Sequence, residues 1–433
     1  MRLVVYEDQG VERLHPLSLT RSAAELRCGM VTLAQRISRC FEMPVSGHFV
    51  RDYLADTVRI RAGVPVNDRR VLLDDEVLLV NARLLPLGCS ISLPESDTAI
   101  VVPAPALGTG HPAVDSQIAV VRLSSDTTSA ADGDIDLLIS DVIPSLPSTN
   151  RDLTLVDYPW NLVHHNPEAL VEDFAFLDRH GVDGEIHMQV AVIGDPANLW
   201  VAPGAVVHPF VAIDVTGGPV VIDEGAEIHP HTRIEGPGYI GPGTIVVGGK
   251  IREGCSIGPV CRVGGEVEES IIHGYSNKYH DGFLGHAYVG EWVNLGAQTT
   301  NSDLKNDYTS VKLEYPSGPI DSGDTKVGCF IGDYTKTSIG TLFNTGTIVG
   351  CMVNCLNHGG LMPKYIPSCA LVHKGAITRG QRFVEILDTA RVAMSRRKRV
   401  FTDSDAAMLT HARGLTRPEL LELSKRDRTL LLA

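Results

Sequence analysis

The chain has 433 residues, 43% of them hydrophobic and 21% charged, and a formal net charge of −14. That fits a soluble globular chain of two or three domains. It excludes a general nucleic-acid binder, because such binding rests on Lys and Arg neutralising phosphates. The opening residues, MRLVVYEDQG, carry no apolar stretch of signal-peptide length, and no apolar run approaches a bilayer span. The expectation is a cytoplasmic protein with no membrane partner. Nine cysteines are scattered, and no CxxC pair frames a structural zinc site. The basic run Arg396, Arg397, Lys398 and Arg399 reads as a solvated helix face.

Residues 1–180 are read as an α/β domain. Short apolar runs recur at Leu3–Tyr6, Val71–Leu73, Val77–Val80 and Ala99–Val102. Met30, Leu33, Ala34 and Ile37 have helical spacing between them. Residues 103–150, rich in Pro, Ser, Asp and Gly, are expected to be mostly loop.

From about residue 185 the texture becomes periodic. Ile222, Ile228, Ile234 and Ile240 fall six apart, and after a slip of one residue Ile251, Ile257 and Val263 continue. Four places after each stands a small or short residue: Ala226, Thr232, Gly238, Thr244, Cys255 and Cys261, with Val267 last. A period of six predicts a parallel β-helix over 185–365, with the aliphatic residues stacked inside, the small ones pointing inward near the corners, and Gly and Pro turning the chain. Cys255 and Cys261 are therefore read as core.

The repeat breaks after Val263 and restarts at Leu284. The break carries His273, Lys278, His280 and His286. Ionisable groups collected where a scaffold repeat is interrupted mark the place to look for chemistry. Residues 366–433 are read as a helical tail, with one helix over Gln381–Met394 and another opening at Arg417 with Pro418.

Both halves of the chain carry a family resemblance. HPLSLTRSAAELRCGMVTLAQRI (15–37), VLLVNARLLP (77–86) and YPWNLV (158–163) resemble parts of the sugar nucleotidyltransferases. The first matches the segment after their phosphate loop, the second their magnesium-binding strand, and the third their closing helix. The departures are specific. The glycine-rich loop that would cradle a triphosphate reads YEDQGVERL, with one glycine and the carboxylates Glu7 and Asp8, which would repel phosphates. The magnesium carboxylate is replaced by Arg83, after Asn81 and Ala82. The resemblance leaves Arg21 and Arg27 as sugar-phosphate contacts, and Mg2+ is implied only if this domain is active.

The hexads resemble the left-handed β-helix acyltransferases, which assemble as homotrimers with acyl-CoA in the groove between subunits. SNKYHDGFLGHAYVGEWVNLGAQTTNSDLKND (276–307) is similar to the acetyltransferase half of the GlmU family. That implies His280 as the catalytic base and Asn294 as the group orienting the nucleophile or supporting the oxyanion. It implies Gly296 and Ala297 along the acetyl-CoA, and Phe283 where the family has a tyrosine. Arg252 matches a substrate-binding arginine. The acidic pair Glu268 and Glu269 stands where the family has a lysine and would repel a sugar 1-phosphate. Lys278, Lys305 and Tyr308 are further candidate acceptor contacts. The imidazole pKa near working pH suits a general base for acyl transfer to a sugar phosphate, amino sugar or nucleotide sugar. The alternatives are an active sugar-1-phosphate nucleotidyltransferase and a non-catalytic sugar-nucleotide-binding scaffold. A zinc hydratase of the γ-carbonic anhydrase type is raised by His229 and His231, expected to point the same way along a strand, with His280 and His286. Their spacing does not reproduce a ligand set, so no metal ligand is assigned.

Overall fold

The computed structural model describes residues 1–88, 91–103, 116–380 and 382–432. The chain divides into two compact units. The first comprises Met1–Leu14, Thr20–Leu26 and Val31–Tyr158; the second comprises His15–Leu19, Arg27–Met30 and Pro159–Ala433. No helix among the described residues is long and apolar enough to cross a membrane.

The first unit is α/β. Its six-stranded sheet runs in the order Val45–Phe49, Arg2–Tyr6, Val77–Asn81, Ser116–Leu123, Thr98–Pro103, Ser148–Asn150. The first three strands are mutually parallel, and Ser116–Leu123 runs antiparallel to both its neighbours. Alternate residues Val4, Tyr6, Val77, Leu79, Val121 and Leu123 are buried on one face in a common core. Each such side chain contributes roughly 1.5–3 kcal/mol on burial. The helix expected from Met30 begins at Leu33 and ends at Cys40, because Thr32 caps it: the hydroxyl accepts from Gln35 N–H and the Gln35 side chain returns the bond. Val71–Leu73, read as a strand, instead lies in and beside a short 3-10 helix, Arg69–Leu72, capped by Asp68. The expected loop region is also more ordered than its composition suggests. Residues 104–115 fall outside the described part, but Ser116–Leu123 is an eight-residue strand and Ser125–Ala130 is a helix.

The second unit is a parallel β-solenoid. One face carries ten strands from Gly181–Val182 to Tyr365–Ile366, and two further faces carry six each, beginning at Glu185–Ile186 and Ala191–Ile193. Ile222, Ile228, Ile234, Ile240, Ile251, Ile257 and Val263 are fully buried, as are Ala226, Thr244, Cys255, Cys261 and Val267. The inward columns are those the period of six specifies.

The interruption is different from the expectation. The coil does not break after Val263. Glu266–Glu268, Ile271–Gly274, Asn277–Lys278 and Phe283–Gly285 continue the three faces in register. What changes is coil length. Val221 pairs with Tyr239, eighteen residues on, which is three hexads; Ser256 pairs with Ile271, only fifteen on. A shortened corner removes residues from the count without disturbing the ladder, so the period fails while the structure persists. The true excursion comes later. The chain leaves the coil after Asp303, makes an antiparallel hairpin of Lys312–Leu313 with Ile320–Asp321, and returns at Val327, whose N–H donates to the Asp303 carbonyl at 2.8 Å.

The two helices at the end of residues 1–180, Pro159–His164 and Asn166–Leu177, pack with the second unit and not with the α/β unit. The buried Asn166 shows why: its amide donates to the Gly254 carbonyl (2.8 Å) and accepts from Gly29 N–H (2.7 Å) and Ser256 (3.0 Å). At the other end, Phe383–Ser395 and Asp403–Leu432 are helices. Gln381 lies outside the described residues. Pro418, expected to open a helix, sits inside the second one. The helices are tied to the coils by Arg397 to Asn277 (2.8 Å), Arg399 to Tyr275 (2.6 Å) and Tyr365 to Glu419 (3.0 Å), so the basic run is partly engaged and not simply solvated.

Candidate functional site

In the first unit, the end of strand Arg2–Tyr6 delivers Glu7 and Asp8 toward a cleft of about 1330 Å³. The two carboxylates do not face it unpaired. Arg51 engages Glu7 at 3.0 Å, and Glu7 also accepts from the Ala23 N–H at 2.9 Å. Asp8 is bound by Arg83, Nε to Oδ1 at 2.7 Å and Nη2 to Oδ2 at 2.5 Å. Arg83 is completely buried and also reaches Asp157 at 2.7 Å. Asn81 adds a hydrogen bond to Asp8 at 2.9 Å. Burial disfavours the Asp8 carboxylate, but the Arg83 hydrogen bond and charge outweigh it and hold its pKa below the usual range. A side chain at Gly10 would collide with the Arg83 guanidinium. So the arginine that replaces the magnesium carboxylate fills the space beside the one glycine of this turn. The repulsion expected from Glu7 and Asp8 is cancelled internally, by Arg51 and Arg83.

Arg21 is buried in this unit, and its carbonyl accepts from Arg51 at 3.1 Å. Arg27 does not join it. It belongs to the second unit, where its N–H donates to Tyr288 (2.9 Å) and its guanidinium lies over the Tyr239 ring.

In the solenoid, His280 stands at a corner between strands Asn277–Lys278 and Phe283–Gly285. It is exposed; its ring meets Tyr279 edge-on, and among the described residues neither ring nitrogen makes a hydrogen bond. Its main chain, by contrast, is held. Lys278 Nζ donates to the His280 carbonyl at 2.5 Å and to the Gly264 carbonyl at 3.1 Å. Lys278 is 2% exposed, and desolvation lowers its pKa to about 8. This corrects its reading as an acceptor contact: the ammonium is inside, bracing the corner.

Asn294 is exposed and pairs with Asn277, whose amide donates to its Oδ1 at 3.1 Å. The coil register therefore sets it three residues short of His280. Alongside His280 the next coil presents Gly296–Gln298, and Gln298 N–H donates to the Asp281 carbonyl at 2.8 Å. Gly296 is required by packing: a Cβ there would lie 2.6 Å from Ser338. Ala297 accepts from Gly340 N–H at 2.7 Å.

At the other end of strand Phe283–Gly285 lies a buried polar cluster whose pairing the sequence did not show. His286 is 3% exposed, with Nδ1 2.8 Å from Asp303 and Nε2 3.3 Å from Glu269. Beside it, Glu268 is clamped by Arg252 (2.5 Å) and Lys326 (3.2 Å). The acidic pair is thus neutralised by Arg252, Lys326 and His286, and its expected repulsion of a sugar phosphate does not hold. No sequence signal could have found this, because Lys326 returns from the far side of the excursion. The Phe283 ring lies against Gly285, where a side chain would collide with it. His273 is buried against Tyr288 (2.9 Å). In the excursion, Lys305 is turned onto Thr309, Ser310 and Asp307, while Tyr308 is 71% exposed.

Residues 3–181 match the family model described as sugar nucleotidyl transferase. Among curated relatives, the chain is 36% identical over 145 residues to a bifunctional sugar-1-phosphate nucleotidylyltransferase/acetyltransferase of Sulfurisphaera tokodaii, covering 31% of this chain and 34% of that one. It is 26% identical over 242 residues to the bifunctional protein GlmU of Nitratidesulfovibrio vulgaris, covering 50% and 48%. It is 34% identical over 119 residues to GlmU of Polaromonas naphthalenivorans, covering 27% and 22%. The matches span half or less of the length of these relatives.

Proposed function

We propose that this GlmU-like chain, with its sugar nucleotidyl transferase-type front unit and solenoid, is an acyltransferase. Its donor is acetyl-CoA or another acyl-CoA, and its acceptor an amine or hydroxyl of a sugar phosphate, amino sugar or nucleotide sugar. The observation that carries this reading is the state of His280: an exposed imidazole with no hydrogen-bonded partner among the described residues, on a main chain fixed by the buried Lys278. A base must be free at the ring and fixed at the backbone to meet an incoming proton. His286 cannot take this role, because Asp303 and Glu269 hold both its nitrogens.

In the reaction, the acceptor's N or O attacks the thioester carbonyl while His280 takes its proton. Collapse breaks the C–S bond, and the CoA thiolate leaves and recovers the proton. No covalent enzyme intermediate is needed. Gly296 and Ala297, in the coil beside His280, would flank the pantetheine. We assign Asn294 to orienting the acceptor and not to the oxyanion, because the register pairs it with Asn277. Arg252, with Glu268 already on it, would offer only its remaining donors to a phosphate. Lys305 and Tyr308 would reach the acceptor from the excursion, and the acyl-CoA groove would lie between copies in a homotrimer. The reading places the protein in the cytoplasm, where its co-substrate is available.

The sealed Asp8–Arg83 pair supports a front unit that does no nucleotidyl transfer, and hence no dependence on Mg2+. A nucleotide-sugar-binding role remains the second reading, favoured by the cleft of the front unit.

The test is thiol release from acetyl-CoA with a panel of sugar phosphates and nucleotide sugars. Turnover should appear with at least one acceptor and fall by roughly 10²–10⁴-fold in His280→Ala, the usual contribution of a positioned base. A His280→Ala protein as active as the parent would remove the role. Pyrophosphate release from any nucleoside triphosphate with a sugar 1-phosphate would overturn the inactive front unit.

A further inference from the structure

The solenoid's coil spacing assembles a second polar constellation, along the same corner as His280 but three coils away from it. Strand Val206–Val207 pairs with Glu227–Ile228, Val206 opposite Glu227. The residues that follow, His208 and His229, therefore stand one above the other, their rings 5.1 Å apart. Both Nε2 atoms converge on one oxygen. His208 Nε2 is 2.9 Å and His229 Nε2 3.2 Å from Glu227 Oε1. His229 Nε2 is buried and makes no hydrogen bond of acceptable geometry despite that proximity.

The expected partnership of His229 with His231 does not form. His231 turns away through a left-handed conformation (φ 66°) and stacks on Phe210 instead. The strand is only two residues long, so the alternation that would align the two histidines ends before it reaches them. The partner that forms comes from the preceding coil.

We propose that His208, Glu227 and His229 form a binding site for a borderline first-row divalent cation of the zinc class, bridging two adjacent coils, with a fourth position open to solvent. The donor set is two imidazole nitrogens and one carboxylate oxygen, which suits zinc and not the all-oxygen cations. Metal–ligand bonds of about 2.0–2.2 Å in a tetrahedron put ligand atoms about 3.3 Å apart. The two measured separations, 2.9 and 3.2 Å, need only a small outward movement to admit the ion. The three ligand atoms lie within 4.8 Å of one another. The side chains are each roughly a third exposed (35%, 39% and 36%), which leaves the fourth position to water or an incoming ligand. His187, next in the same column, is excluded. It is exposed, and its ring nitrogens do not join the ligand atoms that lie within 4.8 Å of one another.

The experiment is titration of the chelator-stripped full chain with zinc chloride alone, read by competition with a chromogenic chelator, with cobalt(II) as a spectroscopic substitute. A single tight zinc is expected, with a tetrahedral cobalt spectrum and a zinc-dependent rise in melting temperature. Loss of an outer-sphere partner costs metal sites roughly 10–100-fold, so His229→Ala and Glu227→Gln should each cost at least that. His187→Ala should bind as the parent does, and far-UV circular dichroism checks that each variant folds. Absence of tight binding in the parent, an octahedral cobalt spectrum, or unchanged affinity in a folded His208→Ala/His229→Ala protein would each overturn the site. The readout is independent of acyl transfer, so its failure and that of the His280 reading are separable.

Discussion

Asp303 Oδ2 stands 2.8 Å from His286 Nδ1, at the point where the chain leaves the solenoid for its excursion. Glu269 holds the other ring nitrogen. Burial disfavours the imidazolium, but the hydrogen bonds to Asp303 and Glu269 outweigh it, and the pKa is raised to about 9. His286 is therefore a fixed cation at neutral pH.

A folded-state pKa above the unfolded value near 6.5 means that this stabilisation is complete below about pH 6.5 and is lost as pH climbs through about 9. Melting temperature should fall between pH 7 and 10 for that reason. In Asp303→Asn the His286 titration, followed by NMR, should move to lower pH and the alkaline loss should begin earlier. An unchanged titration in that variant would refute the pairing.

The Asp8–Arg83 pair should be structural. Removing one partner leaves a buried, uncompensated charge and costs about 3–5 kcal/mol. Chemical denaturation of Arg83→Ala and Asp8→Ala should show losses of that order in the transition of the first unit. Arg83→Met, which keeps volume but still strands Asp8, should not rescue. A loss below about 1 kcal/mol, the range of exposed ion pairs, would show that solvent reaches the pair.

Lys278 should separate positioning from chemistry. Lys278→Met removes the ammonium from the Gly264 and His280 carbonyls, leaving buried acceptors unpaired at a cost of about 1–3 kcal/mol. Under the acyltransfer reading, kcat should fall while the acyl-CoA KM changes little, because the base is misplaced and the groove is not. A KM effect alone would put Lys278 on the ligand.

Cys255 and Cys261 should resist alkylation. Burial pushes both thiols up to about 12, and neither side chain is exposed. Mass spectrometry after brief maleimide treatment of the native protein should find them unlabelled, and labelled only after denaturation. Rapid native labelling would mean that the coil stack opens.

Much of the fold is written in local pattern. A period of six can be satisfied only by a coil whose corners recur every six residues, so Ile222, Ile228 and Ile234 specify an inward column without reference to distant sequence. The α/β unit is legible for the same reason: its buried strands are continuous apolar runs. Pattern fails where the coil shortens at Ile271, because hydrogen bonding tolerates a missing residue at a corner and a count does not. The exposed, backbone-fixed His280 was locatable from sequence, through its resemblance to an acyltransferase motif. What holds it was not, because Lys278 turns inward. The neutralisation of Glu268 and Glu269, the filling of the Gly10 turn by Arg83, and the meeting of His208 with His229 and Glu227 were decided by tertiary structure alone. Each depends on which side chains the coils and strands bring within a few ångströms, and electrostatic pairing at that range carries no signature in linear spacing.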